Sequence, residues 1–144
     1  MSILKAITIK QPWATLISLN EKKLETRSWQ TKHRGAIAIH AGKQIDVEAC
    51  KDVEISKTLK KHGLGITDLP VGAVIAIANL AQCHEVLEDH GLNAKTTGGM
   101  VTNKEYAFGD YSEGRYAWEL KDIKVLPIPI EIKGQQRLWE WHGY

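Results

Sequence analysis

Residues 73–81 run Ala-Val-Ile-Ala-Ile-Ala-Asn-Leu-Ala, apolar at every position except Asn79. A strand with one wet face would alternate with polar residues, so this run reads as a strand buried on both faces. Such a strand requires a covering layer on each side. A closed or strongly curled sheet with a helix packed on it supplies both.

The rest of the chain offers the partners. Residues 4–10 set Lys5, Ile7 and Ile9 against Leu4, Ala6 and Thr8, the alternation of a strand. Pro12 suits the first turn of a helix, and Trp13, Leu16 and Ile17 give that helix an apolar face. Asn20 tolerates the left-handed conformation that ends a helix. Residues 24–27 and 35–40 read as further strands, and 116–120 as another with Tyr116, Trp118 and Leu120 on one face. Pro127 and Pro129 restrict residues 125–132 to an edge strand or an extended crossing segment. Gly134-Gln135-Gln136-Arg137 is a turn, and residues 138–141 follow with Trp139 and Trp141.

Between these strands the spacing predicts one helix over residues 46–62. Asp46 caps it, Glu48 sits in its first turn, Lys57, Lys60, Lys61 and His62 crowd its last, and Gly63 stops it. Leu69-Pro70-Val71-Gly72 is a turn. Residues 85–104 are polar, contain Gly98-Gly99 and read as a long loop. With no repeat, linker or low-complexity tract, the 144 residues form one domain, residues 1–144, of α+β class.

No apolar run approaches the ~20 residues of a membrane span. The N-terminus lacks the basic start and apolar stretch of a signal peptide. Cys50 and Cys83 sit far apart with no CxxC, which reads as two free thiols in a reducing compartment. We therefore expect a cytoplasmic protein with no membrane partner. The net charge of +2 conceals a division. Residues 1–43 hold eight Lys and Arg against two Glu, or +6, and the remainder hold eleven against fifteen, or −4. The asymmetry favours a basic face for an anion such as phosphate or RNA; basic residues that only solvate one end of the domain are the alternative.

That basic half contains the densest chemistry, Asn20-Glu-Lys-Lys-Leu-Glu-Thr-Arg-Ser-Trp29. If residues 24–27 are a strand, Glu25 and Arg27 share a face while Leu24 and Thr26 take the other. Lys22 lies on the turn before it and Trp29 just after. Lys22 and Glu25 together can act as base and acid in a pocket; equally, Glu25 and Arg27 can be a structural ion pair. Trp29 can stack a base, a contact of ~1–3 kcal/mol, or fold back over the sheet end. His40 ends a strand near Lys43, at the same edge if the two strands pair. Cys83-His84-Glu85 with His90 matches no zinc spacing, so no metal is expected. No GxGxxG, P-loop, GxSxG or EF-hand pattern occurs, and no cofactor is expected.

These blocks resemble a known family. Ile7-Thr8-Ile9-Lys10-Gln11-Pro12-Trp13-Ala14, then Lys22-x-x-Glu25-x-Arg27-Ser28-Trp29, then residues 34–41 from Arg34 to Ala41, are similar to the ASCH domain. The signature G-x-K-x-x-E-x-R falls on Asn20, Lys22, Glu25 and Arg27, with Asn in place of the glycine. The resemblance implies a PUA-like curled β-barrel with flanking helices and a role in RNA metabolism or transcription coactivation. It implies RNA or a nucleotide or nucleoside as the ligand; the basic face separately makes an acidic protein another candidate partner. The ligand-binding set it suggests is Gln11, Trp13, Lys22, Arg27, Trp29, His40 and Lys43. One bacterial branch hydrolyses N4-acetylcytidine; its active lysine falls on Lys22 and its active threonine on the position of Glu25. For its active glutamate, Glu85 and Glu88 lie in the corresponding part of the chain. If this chain is an enzyme, the resemblance implies such an amidohydrolase, with Lys22 and Glu25 as the catalytic pair, or a ribonuclease.

Overall fold

The apolar run forms the first half of β4 (Ala73–Asp89), and layers lie on both of its faces. A computed structural model of the protein describes residues 3–143; Met1, Ser2 and Tyr144, at the ends of the expected domain, lie outside the described residues. The chain order is β1 (Leu4–Gln11), α1 (Trp13–Ser18), β2 (Leu24–Arg27), β3 (Gly35–Ile45), α2 (Val47–Cys50) and α3 (Val53–Lys61). After β4 come β5 (Ala94–Thr96), β6 (Gly99–Val101), α4 (Asn103–Ala107), β7 (Tyr116–Glu131) and β8 (Leu138–Trp141).

The fold is α+β, with strand order β2-β7-β4-β3-β1-β8 and a small extension in which β5 pairs with β4 and β6 with β5. β1 and β3 run parallel; the other ladders are antiparallel. One face gathers Ile7, Ile9, Ile37, Ile39, Leu80, Trp118 and Leu120 under Ala14 and Ile17 of α1. The opposite face holds Ala6, Ala38, Val74, Leu126, Trp139 and Trp141. This two-sided burial is why residues 73–81 show no alternation.

Four expectations change. The sheet is not closed into a barrel: β2 and β8 remain its two ends. The outer edge of β2 is instead occupied by groups from residues 103–115. Glu105 accepts from the Lys23 and Leu24 amides at 2.8 and 3.3 Å, the Asp110 amide donates to Thr26 Oγ1 at 3.1 Å, and Arg115 donates to the Thr26 carbonyl at 3.3 Å. With its edge groups satisfied this way, β2 has no need of another strand.

The single helix over 46–62 is two. Asp46 caps α2 by accepting from the Ala49 amide, but Asp52 caps a second start by accepting from the Glu54 and Ile55 amides. A short Asp side chain offers the backbone that alternative to continuous helix. The loop over 85–104 is largely β-structure: β4 runs on to Asp89 and pairs with β5, which pairs with β6. Strands of three residues are too short for an alternation to register. Residues 116–120 and 125–131 belong to one strand, β7, bulged against β4 and carrying Asp122 at φ 52°. Its proline-bearing half has β4 on one side and none of the mapped ladders on the other, as the edge reading requires.

Candidate functional site

β2 has the bounds that its sequence predicts, and its alternation decides what faces the cleft. Asn20 adopts φ 61° and ends α1, so the chain turns at once into the strand. Glu25 and Arg27 emerge on one face, 3.1 Å apart between Oε2 and Nη2, while Leu24 packs with Tyr111 and Ala117 on the other. Arg27 Nη2 also donates to the Thr8 carbonyl at 2.8 Å, which fixes the guanidinium against β1. Its Nε is buried with no hydrogen-bond partner. Lys22 is only 1% exposed. Its ammonium donates to the Leu24 carbonyl and stands 3.6 Å from Glu25 Oε1. A buried lysine and a half-buried arginine thus share one carboxylate.

This triad lies in a cleft of about 910 Å³, within the usual range for small-ligand sites. β1, β2 and the β3 end form the floor and one side, with Thr8, Lys10, Trp13, Lys43 and Trp29 along them. The second wall is Ala107 to Asp110, the end of α4 and the residues that follow it, together with Asp52 and Arg115. The third is Gln135, Gln136 and Arg137, from the turn before β8. Six Lys or Arg line the cleft against three carboxylates, Glu25, Asp52 and Asp110.

The balance is uneven in depth. Lys22 and Arg27 share Glu25, and Arg115 stands 3.6 Å from Asp110. Among the described residues Lys10, Lys43 and Arg137 make no ion pair. Those three exposed cations outnumber the exposed Asp52 by two, where a polyanion would arrive, and the Lys22–Glu25–Arg27 group leaves one further positive charge below them.

Of the residues singled out from sequence, Trp13, Lys22, Glu25, Arg27, Trp29 and Lys43 line the cleft. Trp29 is half-buried: its ring meets Trp118 edge-on at 4.8 Å, and the Arg137 guanidinium sits 4.2 Å from its centroid. Gln11 and His40 are elsewhere. Gln11 is wholly buried, holding the start of α1 by accepting from the Thr15 amide and donating to Thr15 Oγ1 and the Pro70 carbonyl.

His40 is 1% exposed, and burial lowers its pKa below the usual value, against a smaller opposing effect of its bond to Ile132. Nε2–H donates to the Ile132 carbonyl at 2.7 Å, leaving Nδ1 to accept from Thr8 Oγ1 at 3.1 Å. Thr8 Oγ1 in turn accepts from Trp139 Nε1 at 3.2 Å. A Cβ on Gly134 would lie 2.5 Å from Thr8 Oγ1 and 2.7 Å from the His40 ring. The network therefore anchors the turn that carries Gln135 to Arg137, and of its members Thr8 lines the cleft while His40 and Trp139 do not.

Glu85 and Glu88 are exposed and do not line the cleft. Cys50 and Cys83 are free thiols, and no metal-binding cluster of His, Cys, Asp or Glu occurs among the described residues. Among them no helix is long and apolar enough to cross a membrane. Sequence reasoning missed Lys10, Arg115 and Arg137 as cleft residues. Arg137 had only the turn assignment of 134–137 to mark it, and nothing local says that the turn folds over Trp29.

The ASCH domain model matches residues 7–133. Two curated relatives are Activating signal cointegrator 1 from Mus musculus and from Homo sapiens, 24% and 23% identical over 93% of this chain. The match spans only 22% of the length of each. A crystal structure of ASCH from Zymomonas mobilis superposes with a TM-score of 0.55 at 18% identity, covering 96% of this chain and 87% of that one. At that identity the likeness concerns the fold alone.

Proposed function

The chain belongs to the ASCH domain family, and from that premise we propose that its cleft binds single-stranded RNA or a nucleotide-like ligand. The observation that carries this reading is the uncompensated charge of Lys10, Lys43 and Arg137 on a rim that also presents Trp13 and Trp29. Phosphates take the rim cations, and the Glu25 carboxylate accepts from a base amino group deeper in. Trp29 stacks the base. The Arg137 cover does not forbid this: an exposed cation–π contact is worth ~0.5–1 kcal/mol, less than the ~1–3 kcal/mol of a stacked base.

Fluorescence anisotropy of a labelled single-stranded RNA tests the reading. The wild type should bind with a salt dependence, and Lys10→Ala and Lys43→Ala should each weaken binding and flatten the log–log salt slope by ~0.7. An affinity that ignores salt, or that survives both substitutions together, would sink it.

A second reading is hydrolysis of an N4-acylated cytidine-type nucleoside, supported by the buried Lys22 ammonium 3.6 Å from Glu25. Arg27 holds the same carboxylate, and no further glutamate lines the cleft, so binding is favoured over turnover. Release of acetate from N4-acetylcytidine, abolished by Lys22→Met, would reverse that order; ribonuclease action would show as RNA shortening in the same tubes. The third reading, an acidic protein partner on the rim, predicts that RNA is ignored altogether.

A further inference from the structure

Resting on the nucleotide-binding reading, we propose that Arg137 is a displaceable cover on Trp29, and that it makes the cleft select a base carrying a phosphate over the bare nucleoside. Three observations lead there. The guanidinium lies 4.2 Å from the Trp29 ring centroid, occupying the space in which a stacked base would sit. Arg137 is exposed and makes no ion pair among the described residues, so nothing but the ring holds its charge. The backbone around it is pinned on both sides. Ile132 is held by His40 at 2.7 Å, Gly134 lies against Thr8 and His40, and Leu138 is in register with Ile7 on β1. The turn therefore stays while the long, flexible side chain swings.

The selection follows from charge. A base that stacks on Trp29 must evict the guanidinium from its π contact. A nucleoside offers the evicted cation no partner. A nucleotide offers a phosphate next to the base, which the fork of Arg137 can take with paired hydrogen bonds. The same residue thus opposes the first ligand and supports the second. A residue that merely braced the turn would affect both ligands in the same direction.

The test uses adenosine and adenosine 5′-monophosphate as probes, titrated by calorimetry into wild type, Arg137→Ala and Arg137→Gln. A labelled eight-nucleotide RNA in the anisotropy assay reports on the parent reading. Arg137→Ala should bind adenosine about two- to fivefold more tightly and the monophosphate at least about fivefold more weakly, so that the preference for phosphate collapses. Arg137→Gln keeps length and a planar end without charge, and should lose the monophosphate preference with little gain for adenosine. Equal thermal midpoints confirm that both variants fold. If the wild type binds RNA but the two ligands keep their ratio in Arg137→Ala, the inference is overturned and the binding reading survives. If the wild type binds neither RNA nor the monophosphate, both fall together.

Discussion

Glu21 and Glu25 stand four residues apart and each gathers cations, but from different places. Glu21 Oε1 meets Lys104 at 2.5 Å, and Oε2 meets His62 at 2.7 Å and Lys61 at 3.0 Å, partners 83, 41 and 40 residues away. Those contacts, Lys104 foremost, hold its carboxyl down to about 2. Glu25 takes Lys22 and Arg27, its own neighbours along the chain. The first glutamate ties α3 and α4 to the turn before β2. The second finds its partners within β2 and the turn that leads into it, and the group they form faces the cleft. Cations supplied from remote elements make a clamp; cations supplied locally make a preorganised polar group that is present once β2 is.

The comparison can be broken most sharply at Glu25. Glu25→Ala leaves the buried Lys22 charge without its counter-ion and should cost about 3–5 kcal/mol in urea unfolding. Adding Lys22→Met should recover much of that loss, because the stranded charge leaves with its partner. A double variant no more stable than Glu25→Ala would mean that the charge was not the cause. A smaller loss, about 2 kcal/mol, is expected for Glu105→Ala, which removes the carboxylate that accepts from the Lys23 and Leu24 amides. Faster hydrogen exchange at the Leu24 amide would localise the damage to the edge of β2.

The clamp itself should be weaker per residue. Glu21→Gln should cost about 1 kcal/mol, since its partners are partly solvated. Its pH signature is specific. With the folded pKa near 2 and the ordinary value 4.5, the contribution of Glu21 is complete above about pH 4.5 and is lost as pH falls toward 2. The variant should show a flatter stability curve over that window. The smallest effect is expected at His40, whose pKa burial lowers from 6.5. Its neutral form is the folded form, so stability is full above pH 6.5 and declines as pH drops below it. His40→Asn should lack that decline, as thermal midpoints measured across the range would show.

Much of the fold was legible because its signals are local. The β2 bounds followed from the Leu24-Glu-Thr-Arg alternation, and φ 61° at Asn20 from the residue's tolerance of that region. The two-sided burial of residues 73–81 followed from their missing polar face. Asp52 could have been read as a second cap, but the cap at Asp46 and the basic end before Gly63 read as the two ends of one helix. The three-residue strands β5 and β6 and the continuation of β4 were illegible for a different reason. Val86, Ala94 and Val101 are buried, but against Tyr111 and Ala117 from other segments, and strands of three residues are too short to show a period.

By itself, then, the sequence determined the local parts: which residues form β2, that Glu25 and Arg27 share a face, that β4 has no wet side, and which family the motif blocks resemble. Only the tertiary structure decided what each polar side chain meets. It turned Gln11 and His40 into anchors, joined α4 to the turn before β2, left the sheet open, and laid Arg137 over Trp29 from 108 positions along the chain. Alternation and capping act between neighbours and so leave a periodic trace. Contacts between remote elements depend on how those elements pack, and no period in the sequence encodes that.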